Sequence, residues 1–146
     1  EDFPYNQLLD VELEETLPNA TRITFAISRS TVSMAEAAHA SAILSSTESG
    51  RTARIVARHR PRIPLLGVTP FDSTARRMQM IWGVIPAAVD PFHHTDEMIQ
   101  RLVRAASSRK YARVGENIVL TAGIPLEIHG VTNMVKVHTV REEDLR

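Results

Sequence analysis

Cysteine is absent from the 146 residues, so disulfides, thiolate nucleophiles and cysteine–zinc centres are excluded together. Lysine is scarce as well: Lys110 and Lys136 are the only two among seventeen cationic side chains, and arginine supplies the rest. Neither sign of charge is in excess, because seventeen Asp and Glu offset the seventeen Lys and Arg. A net charge of zero argues against a chain whose main task is to coat nucleic acid or an anionic membrane. No apolar run approaches the roughly 18 residues needed to span a bilayer. The start, Glu1-Asp2-Phe3-Pro4, lacks the basic and apolar stretches of a secretory leader. A cytoplasmic globular protein with no nucleic-acid or membrane partner is therefore expected.

What is present is the composition of a packed domain, 43% hydrophobic and 23% charged. The length suits one domain over residues 1–146. Charge is balanced in total but not in place. Residues 1–21 carry Glu1, Asp2, Asp10, Glu12, Glu14 and Glu15 with no cation, whereas residues 51–62 carry Arg51, Arg54, Arg58, Arg60 and Arg62 with no acid. An arginine-rich helix face paired with acidic neighbours is the plain explanation; a ligand site needs a further signal that points an anion at it.

Helical and strand-like segments alternate along the chain. Asn6–Leu17 reads as a short acidic amphipathic helix stopped by Pro18-Asn19, within an N-terminal segment of residues 1–20. Ile23–Ala40 reads as a helix whose many small side chains allow close packing. Ala42–Thr47 then reads as a buried strand. Ser49-Gly50 opens a helix to Arg58, ended by Pro61. Pro64–Thr69 is a second strand, Asp72–Trp82 a helix with Gly83 as its stop, and Val84–Val89 a third strand, or an edge strand given Pro86. Thr95 is the expected N-cap of the clearest helix, with Asp96 and Glu97 in its first turn and the stripe Met98, Ile99, Leu102, Val103, Ala106. Asn117–Ala122 and Met134–Val140 are the last strands, joined by a Gly/Pro loop, and Arg141–Arg146 is read as a solvated charged tail.

Strands separated by helices imply crossover connections and a parallel sheet, while the loop between the last two strands permits an antiparallel pair. The expected fold is a three-layer α/β/α domain with a five-stranded, mostly parallel sheet whose last strand is antiparallel. Ligands in such sheets sit beyond the carboxyl ends of the strands. There Thr47-Glu48-Ser49-Gly50-Arg51-Thr52 follows the first strand and opens the arginine-rich helix. Gly50 permits close backbone approach, and the hydroxyls of Thr47, Ser49 and Thr52 can meet oxygens. Arg51 adds charge beside the free amides of a helix N-terminus. The Walker pattern is missing, and an ordinary helix cap remains the alternative.

The order and spacing of several blocks extend this reading. They are Ala26-Ile27-Ser28, Met34-Ala35-Glu36, Thr47 through Arg54, Arg60-Pro61-Arg62-Ile63-Pro64 and Val68-Thr69-Pro70. Further along stand Trp82-Gly83-Val84-Ile85-Pro86, Thr95-Asp96-Glu97-Met98, Thr121-Ala122-Gly123-Ile124-Pro125, Gly130-Val131-Thr132-Asn133 and Lys136-Val137-His138. From about residue 23 to 140 the chain resembles the C-terminal domain of bacterial-type pyruvate kinase. The resemblance implies an effector-binding, oligomer-forming domain of a homotetramer. Its phosphate loop matches Thr47–Thr52, and its closing loop, Gly123–Asn133, holds Gly123, Ile124, Pro125, Glu127, His129 and Gly130. It also implies that phosphoryl transfer from phosphoenolpyruvate to ADP, with magnesium and potassium, belongs to a separate barrel domain. No catalytic residue and no cofactor are assigned to this chain. Glu127 would repel a second phosphate, so a sugar monophosphate or AMP is the expected effector, and Glu48 must point away from the anion. A free-standing phosphometabolite sensor and a purely structural assembly domain are the rival readings.

The remaining signals have plain explanations. His93-His94 reads as a solvated loop, since adjacent histidines do not easily share one tetrahedral site and no third ligand is evident; no metal is assigned. His129 reads as a loop histidine and His138 as a partly exposed strand residue. Arg58-His59-Arg60-Pro61-Arg62 complements a helix C-terminus, without the interleaved aromatics of a nucleic-acid surface.

Overall fold

The computed structural model describes residues 17–126 and 129–146. Almost all of the expected acidic helix, and Glu127, lie outside them. The described elements run α1 (Asn19–Ala37), β1 (Ala42–Ser46), α2 (Arg51–Arg58), β2 (Leu65–Thr69), α3 (Asp72–Met78), β3 (Val84–Ala88), α4 (Thr95–Ser108), β4 (Asn117–Ala122), β5 (Met134–Thr139) and a 3-10 turn (Glu142–Leu145).

The five strands form one sheet in the order β3-β2-β1-β4-β5. β1 pairs in parallel with β2 and β4, β2 with β3, and only β4–β5 is antiparallel, with Ile118 opposite His138 and Leu120 opposite Lys136. The expected architecture is therefore the observed one, and of the two places open to the Pro86 strand it takes the edge, where a missing N–H costs no ladder bond to a further strand.

Alternation along the central strands builds two cores. Ala42 and Leu44, Leu66 and Val68, and Ile118 and Leu120 pack with Met98, Leu102 and Val103 of α4. Ile43, Leu65, Val84 and Val119 pack on the opposite face with Val32 and Ala35 of α1, Ala53 and Val56 of α2, and Met78 of α3. Both faces being covered, the strands read as continuous apolar runs. Each fully buried Leu or Ile contributes roughly 1.5–3 kcal/mol of transfer free energy.

Several boundaries differ from the sequence expectation. α1 begins at Asn19 rather than Ile23, because the Pro18 carbonyl accepts the N–H groups of Thr21 and Arg22 and starts the helix there. It ends at Ala37, and His39 turns the chain with φ +49°. The buried hydroxyls of Thr24, Ser28 and Thr31 donate to the carbonyls of Ala20, Thr24 and Ile27, which lets a polar face pack without unsatisfied groups. α3 stops at Met78, not Trp82, so Gly83 (φ +80°) belongs to the turn into β3 and is not a helix cap. Trp82 is exposed beneath the Arg60 guanidinium, 4.1 Å from its ring centroid.

At α4 the cap is His94, in extended conformation, and Thr95 is already helical. The first turn is closed instead by Glu97, whose carboxylate accepts the His93 N–H at 3.1 Å. The last residues are not simply a solvated tail: Glu142–Leu145 form a 3-10 turn held to β5 by His138 Nε2 and Asp144 Oδ2 at 2.8 Å.

Candidate functional site

The chain moves outward from β1 through β2 to β3, then α4 carries it back across the sheet to β4 on the other side of β1. This reversal splays the loops after β1 and β4 apart at their carboxyl ends, and such switch points are where open α/β sheets leave a crevice. A cleft of about 490 Å³ opens there. Its walls come from the loop after β1, the start of α2, the loops after β2 and β3, and the β4–β5 loop.

One wall is the segment Thr47–Thr52. Thr47 is pinned by its N–H to the Val68 carbonyl at 3.0 Å, and its hydroxyl accepts the Gly50 N–H at 2.9 Å. Ser49 Oγ accepts the Arg51 N–H at 3.3 Å. From the neighbouring helix, the Thr74 hydroxyl donates to the Glu48 carbonyl at 2.7 Å, which fixes the loop from outside. Gly50 holds φ +84°, and a Cβ on it would meet Met78 Cγ at 3.0 Å. The residue shapes the loop and does not line the cleft. Beyond it, α2 turns its first-turn amides, which have no intrahelical partners, toward the same end of the sheet.

Arg51 lines the cleft and donates from Nη2 to Thr21 Oγ1 at 3.2 Å, an exposed contact that uses one of its five guanidinium donors. Thr52 also lines it, but its hydroxyl is shared with that of Thr132 at 2.6 Å. The Thr132 N–H in turn reaches Thr24 Oγ1 at 3.3 Å. Three threonines thus tie α1, α2 and the end of the β4–β5 loop into one buried junction.

The facing wall is that β4–β5 loop. Gly123, Leu126, His129, Gly130, Val131 and Thr132 line the cleft, whereas Ile124 and Pro125 do not. The loop is clamped at its base by Asn133, which accepts the Ile124 N–H at 2.8 Å and donates to the Ile124 carbonyl at 2.6 Å. At the mouth, His129 Nδ1 lies 2.8 Å from Glu48 Oε2. Glu48 is thereby turned to the opposite loop. The rim between the walls is Pro70, Phe71, Pro91, Phe92 and His93. His93 is held by Glu97, whose carboxyl sits below the usual carboxylate range because it accepts the His93 N–H, with Arg101 adding to the effect.

The cleft therefore has a polar end of hydroxyls and one arginine, the Glu48–His129 pair at its mouth, and a mostly apolar rim. That arrangement suits an amphiphilic anion. Sequence reasoning found both loops and missed the rim, which positions just after β2 and β3 would have signalled. It also missed Thr24, Thr74 and the clamping role of Asn133, because an ordinary threonine or asparagine carries no mark of a partner tens of residues away. Among the described residues no group of three His, Asp or Glu could hold a metal ion.

Residues 25–138 match the sequence pattern of the family described as "Pyruvate kinase, alpha/beta domain". The chain belongs to that family. The domain is 42% identical over 114 residues to pyruvate kinase of Clostridium acetobutylicum, covering 78% of this chain and 24% of the relative. It is 35% identical over 133 residues to pyruvate kinase of Geobacillus stearothermophilus, covering 91% and 23%, respectively. To pyruvate kinase of Clostridium perfringens it is 33% identical over 139 residues, covering 95% and 29%. The pyruvate kinase α/β domain thus spans about a quarter of the length of these relatives. No described helix is long and apolar enough to cross a membrane.

Proposed function

We propose that this domain is the effector-binding and oligomer-forming unit of a cytoplasmic pyruvate kinase. In that reading a phosphorylated metabolite sits in the switch-point cleft. Transfer of a phosphoryl group from phosphoenolpyruvate to ADP, and the magnesium and potassium it requires, would belong to a separate barrel domain. The observation that carries the reading is the convergence of the 47–52 segment and the β4–β5 loop on one cleft. Thr47, Ser49, Arg51 and the α2 amides would receive the phosphate, Gly50 shaping the turn. Thr52 would act chiefly by joining α2 to the opposite loop. The apolar rim would take the organic part of a sugar monophosphate or of AMP. Binding would shift a homotetramer between two states, with a coupling of typically ~1–3 kcal/mol.

Calorimetric titration with glucose 6-phosphate, AMP and fructose 1,6-bisphosphate tests this. A monophosphate should bind, and Arg51→Ala should weaken it by about ten- to a hundredfold, the worth of a charge-assisted hydrogen bond, with unfolding unchanged. Equal affinity in the variant removes the loop from the site.

A further inference from the structure

β3 closes one edge of the sheet, and beyond it α4 has no further strand to pack against. A groove of about 460 Å³ is left there, between α4 and the carboxyl end of β3. Small side chains keep it open, Ala88 on the strand and Ala105 on the helix. Arg101, Arg104 and Ser108 line it with Ala105 because spacings of three and four place them on one face of α4. Arg109 joins them from the helix end by folding back, its Nη1 donating to the Ala105 carbonyl at 3.2 Å. Three arginines thus share one concavity, whose lining has no residue in common with the switch-point cleft.

The three are not equally engaged. Arg101 is held by Asp90 and Glu97, each at 3.4 Å. Neither Arg104 nor Arg109 has a carboxylate within ion-pair reach among the described residues. The Nε–H groups of Arg101 and Arg104 are also shielded from solvent and meet no acceptor among the described residues. A shielded donor on a charged group gives up its hydration with nothing in return until an acceptor arrives. Beside these cations the groove carries two carboxylates, Asp72 at the start of α3 and Asp90, whose side chain is 82% exposed. Carboxylates oppose a polyanion but accept hydrogen bonds from hydroxyl groups.

We infer that this groove is a second ligand site, which takes the phosphate monoester of a small polyhydroxy compound. Arg104 and Arg109 hold the phosphate, to which the planar guanidinium fork is matched. Asp72 and Asp90 accept hydrogen bonds from the ligand's hydroxyl groups, and Arg101 orients Asp90. The volume is that of a small-metabolite site. An acidic peptide would also satisfy the arginines, but it would set its own carboxylates against Asp72 and Asp90. The inference does not rest on the function proposed for the cleft, and the Arg51→Ala chain, in which cleft binding should be weakened, is the background for its test.

The probe is sn-glycerol 3-phosphate, with sulfate as the bare anion and hexaglutamate as the acidic peptide, followed in ¹H–¹⁵N spectra that include the arginine Nε–H signals. Glycerol 3-phosphate should saturably move the Nε–H signals of Arg101 and Arg104 and the Ser108 amide. Arg104→Gln and Arg109→Gln should each weaken it by about ten- to a hundredfold, the worth of charge-assisted hydrogen bonds. Arg104→Lys should recover only part of that loss, since it keeps the charge without the fork. Asp72→Asn should weaken glycerol 3-phosphate and strengthen sulfate, because it removes a hydroxyl acceptor and a repelling charge together. Amide spectra unchanged away from the groove identify the folded variants, and Arg109, exposed at the helix end, can be replaced without touching the core. Absence of saturable shifts at Arg104, or undiminished affinity in both glutamine variants, overturns the site. Hexaglutamate binding there more tightly than glycerol 3-phosphate overturns the assignment to a small metabolite. Asp72→Asn strengthening both anions overturns the role given to the carboxylates.

Discussion

At the scale of single residues, the cleft depends on side chains that do not themselves meet a ligand. Gly50 is the clearest case. Its left-handed backbone and the 3.0 Å approach a Cβ would make to Met78 Cγ leave no unstrained alternative. Gly50→Ala should therefore cost about 1–3 kcal/mol, since backbone strain and overpacking add. Urea unfolding monitors this, and an unshifted midpoint contradicts it. Gly67 has a different reason for being glycine: a Cβ there would lie 2.5 Å from Met78 Sδ. One buried methionine thus requires two glycines on separate elements. Thr74 and Asn133 work similarly, bracing the two loops through hydrogen bonds to backbone atoms.

At the scale of elements, the carboxy-terminal turn is anchored by its own chemistry. Burial alone would raise the Asp144 pKa. Hydrogen bonds from His138 and the Arg141 N–H, with their charges, outweigh it and hold the carboxyl below its ordinary 3.8. A carboxyl lowered in the folded state contributes stability that is complete above its unfolded value. That contribution is lost as pH falls through the folded one. The turn should loosen below about pH 4. Asp144→Asn should lower the thermal midpoint at pH 6 and flatten its decline in acid; parallel curves for both proteins would contradict the anchoring. The element boundaries follow the same logic. Pro18 was legible as a helix breaker, yet its carbonyl starts α1, and Thr95 has the chemistry of a cap while Glu97 closes that turn from inside. Propensity names the residues that can end a helix; the backbone groups left over decide which one does.

At the scale of the whole molecule, two cores share one sheet, and β1 lies at its centre with neighbours on both edges and both faces. Leu44→Ala, at a fully buried position, should cost about 2–5 kcal/mol and loosen the cleft loops with the core beneath them. Denaturant unfolding together with anion titration measures both effects. Loss of stability without loss of binding would mean that the cleft is not supported from this strand.

The apolar runs, their spacing and the turn residues between them determined the architecture in advance. The period of two in the strands and 3.6 in the helices is a local property, and crossover rules leave few ways to stack the result. The 47–52 loop was legible from glycine and hydroxyl residues at the end of a predicted strand, whereas the 123–133 loop read locally as a Gly/Pro connection and was assigned to the site only through the family resemblance. Only the tertiary structure decided that Glu48 meets His129, that Thr52 spends its hydroxyl on Thr132, and that Phe71 and Phe92 form a rim. Those contacts join segments whose separation along the chain carries no energy or pattern of its own. They arise where the sheet reverses direction, and neither participant announces the other until the fold brings them within hydrogen-bond reach.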